Sequence, residues 1–394
     1  ELPGGGVQLA KDQAVTVGAA PHAVIRITQR EVLKELGPGA RLLLGDGNVE
    51  LKLGSEQNGL WQGKVISGGL VKSRQGATFV GKVFDAPPLT DKDRDDVREA
   101  CALGVDFIAL SYVHGASDMA ELRSVVAKLG SAARLCAKIE TREAVKNLAQ
   151  IIEASDLVMV ARGDLGLQMA VEDVPIAQKR IIQLCNKAGV PVITATQMLE
   201  SMIVNPRPTR AEATDVANAV LDGTDAVMLS GETASGQYPV EAVRYMSRIA
   251  DAVEERLDHE RILDEAGRTG RETSSTEAVA RAAVQLAAST APRGILTTTT
   301  SGQTARLVSK FRPRQPILCA TWSEATLRQM SVVWGVEAIL IPPPTTTDEI
   351  IAHSFAGFSK RKRLKRGDLV IITAGVPAGV PGHTNLILME VVKE

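Results

Sequence analysis

The chain has 394 residues, enough for two or three domains, and its net charge of -1 and hydrophobic fraction of 44% are ordinary for a globular protein. The balanced charge and the lack of any apolar run long enough to span a bilayer argue against nucleic acid or a membrane as a partner. The four cysteines are far apart and form no C-x-x-C motif. This spacing excludes a zinc site or disulfide framework of the usual kind and favours a reducing, cytoplasmic setting.

The first region, from residue 7 to about 83, alternates short apolar stretches with glycine turns. This period-two pattern predicts a small antiparallel β domain. The dipeptide Asp46-Gly47 is typical of a hairpin turn.

The second region begins after Pro87-Pro88, where Thr90 is placed to cap a helix running to about residue 103. From there the pattern is strand, loop and helix, repeated. Strands are predicted at 106–111, 133–139, 157–160, 191–195 and 226–229. These make five βα units, whereas a closed barrel of this type has eight.

The third region follows a polar stretch at 259–275 and again alternates helices with strands. Strands are predicted at 294–298, 316–320, 337–341 and 369–374, with a closing strand near 386–392. Helices are predicted at 275–289, 303–311, 324–334 and 348–360. The pattern indicates a parallel α/β layer that forms its own domain.

Polar side chains follow two neighbouring strands of the second region. Lys138 and Glu140 lie two residues apart at a strand end, so they share a face, and Asp164 follows the next strand. Two carboxylates with substrate oxygens are a usual way to hold Mg²⁺ or Mn²⁺, and Lys138 would neutralise a transferring phosphoryl group. The alternative is a structural ion pair between Lys138 and Glu140.

Three sequence blocks at strand ends, A-K-I-E-T-R-E-A-V, A-R-G-D-L-G and T-A-T-Q-M-L-E-S-M, occur in this order. With N-P-R-P-T-R-A-E-A-T-D-V-A-N-A-V and D-A-V-M-L-S-G-E-T-A-S-G-Q-Y-P, they resemble the pyruvate kinase family over almost the whole chain. The resemblance implies an α/β fold: a (β/α)8 barrel lacking its first three strands, an inserted small β-barrel domain and a C-terminal three-layer α/β domain. The implied domains are an inserted β lid at 1–86, the partial catalytic barrel at 87–255 and an effector-binding domain at 256–394.

The resemblance also implies a segment before residue 1, and the start at Glu1 rather than Met agrees with this expectation. That segment would carry three barrel strands, a phosphate-contacting arginine, any K⁺ ligands and part of the nucleotide site. Without those strands, the barrel is expected to have open edges and to be inactive.

The activity implied by the resemblance is glycolytic phosphoryl transfer from phosphoenolpyruvate to ADP, giving pyruvate and ATP, in an allosteric cytoplasmic homotetramer. Lys138 matches the phosphoryl-stabilising lysine, and Glu140 and Asp164 match the metal ligands. The amides of Gly163 and Asp164, with Thr196, match the groups that hold the substrate carboxylate. Thr196 also matches the residue that protonates the enolate, through water. Gly163 has two explanations that agree: a tight turn needs φ freedom, and a missing side chain lets backbone N–H groups approach a carboxylate. Thr196 is alternatively explained by capping of the next helix.

A hydroxyl-rich loop joins a strand to a helix in the third region, and the resemblance implies a phosphorylated small-molecule effector there. The matching residues are Thr299, Thr300, Ser301, Gly302 and Thr304. Hydroxyls and free N–H groups at a helix start suit phosphate, although capping alone explains them too. The loop at 374–385 faces the same region in the family.

Some residues leave alternatives open or depart from the family pattern. Asp46 either faces the nucleotide or only forms a hairpin, and Glu232 either supports the site or begins a helix. Gln75 stands where a nucleotide-contacting lysine is expected, and His114 where arginine is usual. Two other functions therefore remain: a Mg²⁺-dependent barrel lyase or aldolase, in which Glu140 and Asp164 hold an enolate, and a catalytically degenerate regulatory subunit.

Overall fold

The computed structural model describes residues 5–27, 29–45, 47–73, 75–81, 87–267, 274–375 and 384–393. Asp46 and most of the loop at 374–385, for which functions are expected above, lie outside these residues. Within them the strands form four sheets, which belong to three successive regions of the chain.

The first region is a β domain, as predicted. A two-stranded sheet pairs β1 with β7, and a six-stranded sheet has the order β3-β2-β6-β5-β4-β8, antiparallel except for β2 with β3. Its core comes from strict alternation: in β5, Val49, Leu51 and Leu53 are buried while their neighbours face outward. The elements are β1 (Gly6–Leu9), β2 (Ala14–Gly18), β3 (Ile25–Arg26), α1 (Arg30–Lys34), β4 (Arg41–Leu44), β5 (Val49–Gln57), β6 (Leu60–Ser67), β7 (Gly69–Lys72) and β8 (Ala77–Phe79).

The second region is a curled half-barrel of five parallel strands, in chain order across the sheet. The strands are β9 (Phe107–Leu110), β10 (Arg134–Ile139), β11 (Leu157–Ala161), β12 (Val192–Ala195) and β13 (Ala226–Val227). The helices are α2 (Asp91–Ala102), α3 (Ala116–Lys128), α4 (Arg142–Lys146), α5 (Leu148–Ala154), α6 (Arg162–Gln168), α7 (Val174–Ala188), α8 (Arg210–Leu221), α9 (Gly231–Ala234) and α10 (Pro239–Glu254). Strand β10 packs its Leu135, Ala137 and Ile139 face into the core beneath the helices, whereas Arg134 and Lys138 on its other face are only partly buried.

The third region is a five-stranded sheet in the order β16-β15-β14-β17-β18, parallel except for the closing strand. Its strands are β14 (Gly294–Thr298), β15 (Ile317–Thr321), β16 (Val336–Leu340), β17 (Leu369–Ala374) and β18 (Leu386–Val391). Helices α11 (His259–Gly267), α12 (Ser275–Thr290), α13 (Gln303–Ser309), α14 (Glu324–Gln329) and α15 (Thr347–Lys360) pack around it. Two apolar clusters, one on each side of the sheet, form the core of this layered domain.

The predicted fold class is confirmed, and most predicted strands match to within two residues. The largest difference is β13, which ends at Val227 rather than 229. The domain boundaries at 86 and 255 stay predictions. Within the described residues, no helix has the length and apolar character needed to cross a membrane.

Candidate active site

The strand that carries Lys138 and Glu140 is fixed at its start by a partly buried carboxylate. Asp156 accepts a hydrogen bond from the Leu135 amide at 3.0 Å and pairs with Arg123 and Arg134, each at 3.0 Å. Burial raises the pKa of Asp156, but this hydrogen bond and the two arginines outweigh it and lower the pKa below the usual range. The carboxylate therefore stays ionised and holds β10 in place.

At the other end of β10, Lys138 and Glu140 point to the same side, as the alternation predicts. Lys138 Nζ lies 2.6 Å from Glu140 Oε1 and donates to Ser111 Oγ at 2.8 Å. The Glu140 side chain is only 1% exposed, and the Lys138 side chain 25%. Burial raises the pKa of Glu140, and it does so against the lowering effect of Lys138 and of the Tyr112 amide. The pair places a cation and a carboxylate in one sheltered position.

Tyr112 connects the two carboxylates. Its amide donates to Glu140 Oε2 at 2.6 Å, and its hydroxyl lies 3.5 Å from Asp164 Oδ1. Burial, with Asp164 and Glu140 nearby, raises the pKa of Tyr112 to about 12. Its φ of 53° is left-handed, a conformation that a tyrosine rarely adopts. In this left-handed conformation the Tyr112 N–H points to the Glu140 carboxylate.

Asp164 and Gly163 lie in the first turn of α6, which starts at Arg162 directly after β11. The sequence predicted that these residues follow the strand in a tight turn, in which Gly163 would need a φ that other residues avoid. That prediction is wrong, since the φ of Gly163 is not left-handed. A helix can begin here because α6 needs only the φ range open to every residue. The Gly163 amide donates to Thr196 Oγ1 at 2.8 Å. The amide expected to hold a substrate carboxylate therefore already faces a hydroxyl oxygen.

Thr196 lies in a turn after β12 and has a left-handed φ of 69°. Its hydroxyl accepts from Gly163 and donates to the Ala195 carbonyl at 2.6 Å. The next helical turn, Glu200–Ile203, has Leu199 at its N-cap and no side-chain cap. The capping explanation for Thr196 is therefore wrong, and the structure brings Thr196 to Gly163 instead.

The carboxylates of this site fit a divalent cation that is completed by substrate. Glu140 Oε1 is buried and has no well-angled hydrogen-bond donor among the described residues, so one lone pair remains available beside the Lys138 ammonium. Among the described residues, no group of three or more Asp, Glu, His or Cys side chains is placed so that it could hold a metal ion by itself. Mg²⁺ is often held by one or two carboxylates with substrate phosphates and water, and Glu140 and Asp164 offer that number of carboxylates.

The hydroxyl-rich loop between β14 and α13 is partly used for its own structure. Thr299 Oγ1 accepts from the Gly302 amide at 3.0 Å, and Thr304 Oγ1 is 2.8 Å from Thr384 Oγ1. Thr299 and Thr304 are buried, whereas Thr300 and Ser301 are partly exposed. Any ligand of this loop would first meet Thr300 and Ser301.

Comparison with known proteins gives two family matches and many relatives. The family described as pyruvate kinase, barrel domain, matches residues 3–243, and the pyruvate kinase alpha/beta domain matches residues 277–390. The chain belongs to the pyruvate kinase family. It is 44% identical to pyruvate kinase from Geobacillus stearothermophilus, over 94% of this chain and 63% of that protein. It is 42% identical to pyruvate kinase 2 of Synechocystis, over 99% of this chain and 66% of the relative.

This chain thus spans a little under two thirds of the length of these pyruvate kinases. The family matches support the pyruvate kinase interpretation and give no support to the lyase or the degenerate-subunit alternatives. Gln75 has a local use in this member of the family, because its Oε1 accepts from the Lys72 amide at 2.8 Å. His114 begins a turn whose amides are held by Asp118.

Sequence reasoning missed three residues that shape this candidate site, Ser111, Tyr112 and Arg162, and left the role of Glu232 open. Ser111 and Tyr112 contact Lys138 and Glu140, and Arg162 donates to the backbone of the Thr196 turn. Glu232, fully buried, begins α9 and accepts from the amides of Leu199 and Ser230 at 3.0 and 2.7 Å. The signal for Ser111 and Tyr112 was their place at a strand end beside β10.

Proposed function

We propose that this chain is the greater part of a pyruvate kinase that transfers the phosphoryl group of phosphoenolpyruvate to ADP. The observation that carries the proposal is the pairing of Lys138 Nζ with buried Glu140 at 2.6 Å, next to Asp164 across Tyr112. One ammonium beside two carboxylates suits phosphoryl transfer, in which positioning and charge neutralisation supply most of the catalysis.

In the proposed reaction an oxygen of the ADP terminal phosphate attacks the phosphorus of phosphoenolpyruvate. The bond between phosphorus and the enol oxygen breaks, ATP forms, and the enolate of pyruvate takes up one proton at its terminal carbon. Lys138 neutralises the charge of the phosphoryl group as it moves. Glu140 and Asp164 would hold Mg²⁺ or Mn²⁺, which supplies Lewis-acid stabilisation of the phosphoryl oxygens when bound.

The substrate carboxylate is proposed to lie at the amides of Gly163 and Asp164, next to Thr196. Since the Gly163 amide now donates to Thr196 Oγ1, a carboxylate oxygen would replace that hydroxyl as its acceptor. The hydroxyl oxygen would then be free to accept a hydrogen bond from water, while the hydroxyl proton stays directed to the Ala195 carbonyl. This exchange supports the proposed role of Thr196 in passing a proton, through water, to the enolate.

The proposal extends to regulation and assembly. A phosphorylated small molecule would bind at the loop of Thr299, Thr300, Ser301, Gly302 and Thr304, and the protein would be a homotetramer. Large apolar side chains of the half-barrel, among them Val171, Ile176 and Val243, are more than half exposed, which supports coverage by another subunit. The resemblance also implies K⁺, for which we assign no residue of this chain.

The decisive experiment is Lys138→Met in the full-length gene product. Turnover of phosphoenolpyruvate and ADP should fall by about 1000-fold or more, because methionine carries no charge to neutralise the moving phosphoryl group. Binding of Mn²⁺, followed by electron paramagnetic resonance, should persist because both carboxylates remain. The control is Lys146→Met, since Lys146 pairs with Glu143 on the surface and its side chain is 70% exposed. Wild-type turnover in Lys138→Met would refute the assignment.

A further inference from the structure

The turn after β12 has an unusual backbone. Thr196 and Gln197 are consecutive and both have left-handed φ values, 69° and 54°. Neither residue type favours this region, and two in succession are rarer still. Such a conformation persists only where surrounding groups hold it.

Arg162 holds the turn in this conformation. Its Nε donates to the Ala195 and Thr196 carbonyls, each at 3.2 Å, and its Nη2 donates to the Thr196 carbonyl at 2.6 Å. Its Nη1 donates to both oxygens of Asp215, at 2.8 and 2.7 Å. The side chain is 11% exposed. The guanidinium is thus fixed on one side by a carboxylate and holds two successive carbonyls on the other.

The same turn is held from its hydroxyl side by the residue that follows Arg162. The Gly163 amide donates to Thr196 Oγ1, so Arg162 and Gly163 contact the carbonyl and the hydroxyl of one threonine. Because both start α6, the position of the Thr196 hydroxyl is set relative to the proposed substrate site at Gly163 and Asp164.

We propose that Arg162 is a positioning residue that holds the Thr196 turn in its left-handed form, with Asp215 as its counter-ion. It fixes the hydroxyl through which the enolate receives its proton, and it does not itself contact substrate. The inference rests on the proposed function. Lysine cannot replace it, since one ammonium cannot reach two carbonyls and a carboxylate in the planar arrangement of the guanidinium.

The proton step can be measured apart from phosphoryl transfer. Its reverse is the loss of a methyl proton from pyruvate, which appears as exchange with solvent deuterium by nuclear magnetic resonance. Arg162→Lys should slow this exchange and kcat by about 100-fold, because a displacement near 1 Å is enough for such a loss. KM for ADP and the affinity for Mn²⁺ should stay unchanged, which a general loss of structure would not allow.

A double-mutant cycle then separates positioning from mere stability. If Arg162 acts through Thr196, adding Arg162→Lys to Thr196→Val should slow exchange by less than about 3-fold, since the hydroxyl is already gone. Arg312→Lys is the matched control. Arg312 is also buried, donates to the Gly223 carbonyl at 2.6 Å and pairs with Asp225 at 3.2 Å, far from Thr196. The effect of Arg312→Lys on the exchange rate should multiply with the effect of Thr196→Val, because the two residues act independently.

Multiplying effects of Arg162→Lys and Thr196→Val would overturn the inference while leaving the proposed function standing. A wild-type protein without turnover of phosphoenolpyruvate and ADP would instead overturn the proposed function, and this inference with it. If Arg162→Lys fails to fold, Asp215→Asn tests the same point, because it leaves Arg162 present without its charged partner. Asp215→Asn should slow methyl exchange less than Arg162→Lys does, and it should have no effect in the Thr196→Val background. An unchanged exchange rate in Asp215→Asn would count against the inference.

Discussion

Glu140 is a carboxylate whose burial works against its own charge. Removing it from water raises its pKa, and the Lys138 ammonium only partly compensates. A buried ion pair of this kind often contributes little to stability, since the desolvation of two charges offsets their attraction. The proposed metal binding, for which an available carboxylate oxygen is needed, accounts better for a buried carboxylate at this position.

Glu140→Gln tests this explanation. The affinity for Mn²⁺ should fall by at least about 100-fold, because the substitution removes a direct ligand where loss of even an outer partner costs 10- to 100-fold. The melting temperature should change little, since the loss of the buried negative charge is offset by leaving Lys138, whose side chain is 25% exposed, without its partner. Calorimetric titration and thermal unfolding measure the two effects. Glu143→Gln is the control, because that residue makes only a surface ion pair with Lys146. An unchanged Mn²⁺ affinity would contradict the ligand assignment.

At this scale the sequence predicts side-chain direction better than backbone conformation. Period-two alternation was enough to place Lys138 and Glu140 on one face. The roles of Tyr112 and Arg162 depend on left-handed turns at Tyr112 and Thr196, and those residue types give no sign of such turns. Glycine is the residue that marks a left-handed turn, and such a turn was expected at Gly163. Gly163 does not have a left-handed φ.

Among the secondary-structure elements, the loop between β14 and α13 shows why a glycine is required at one position. Gly302 has a φ of 79° and is the N-cap of α13. A Cβ there would overlap the methyl group of Met330 and lie 3.0 Å from its Sδ. The loop therefore packs against the end of the buried Met330 side chain, which would have to move to admit a Cβ at Gly302.

Gly302→Ala should destabilise the C-terminal domain by about 1 kcal/mol through its φ and by a further 1–3 kcal/mol through the clash. Gly335→Ala is the matched control, since it has a φ of 69° in the same domain and its nearest atom, Ile317 Cδ1, is 3.9 Å away. Gly335→Ala should therefore lose only the stability that its left-handed φ costs an alanine. Urea unfolding followed by tryptophan fluorescence compares the two, and equal losses would contradict the clash. A phosphorylated probe, titrated into both variants, should bind more weakly to Gly302→Ala.

Element positions were predictable where their patterns are local. The strands of the third region follow from short apolar runs between turn residues, and β14 and β17 match their predicted bounds. Helix α6 was not predicted, because seven residues with two glycines give a weak helical signal. Its position is set by contacts with the Thr196 turn, which lies more than thirty residues further along the chain.

The half-barrel and the C-terminal domain are joined by polar contacts over long sequence separations, which no local pattern reveals. Arg134, at the start of β10, donates to the Ser301 carbonyl of the hydroxyl-rich loop at 3.4 Å. Arg312 donates to the Gly223 carbonyl and pairs with Asp225, and its guanidinium lies 4.9 Å from the Trp334 ring centre. One junction therefore touches both the strand of the proposed active site and the proposed effector loop.

Arg312→Leu should destabilise this junction strongly. It leaves Asp225 buried without its cation, a change that typically costs about 3–5 kcal/mol. The lower end is expected, because Asp225 still accepts from the amides of Val192 and Trp334. Arg328→Leu is the matched control, since Arg328 also crosses the junction to reach Asp106 at 2.9 Å but is half exposed. That exposed pair should be worth at most about 1 kcal/mol. Calorimetric unfolding should show the C-terminal domain melting apart from the half-barrel only in Arg312→Leu, and equal effects in both variants would contradict a buried electrostatic junction.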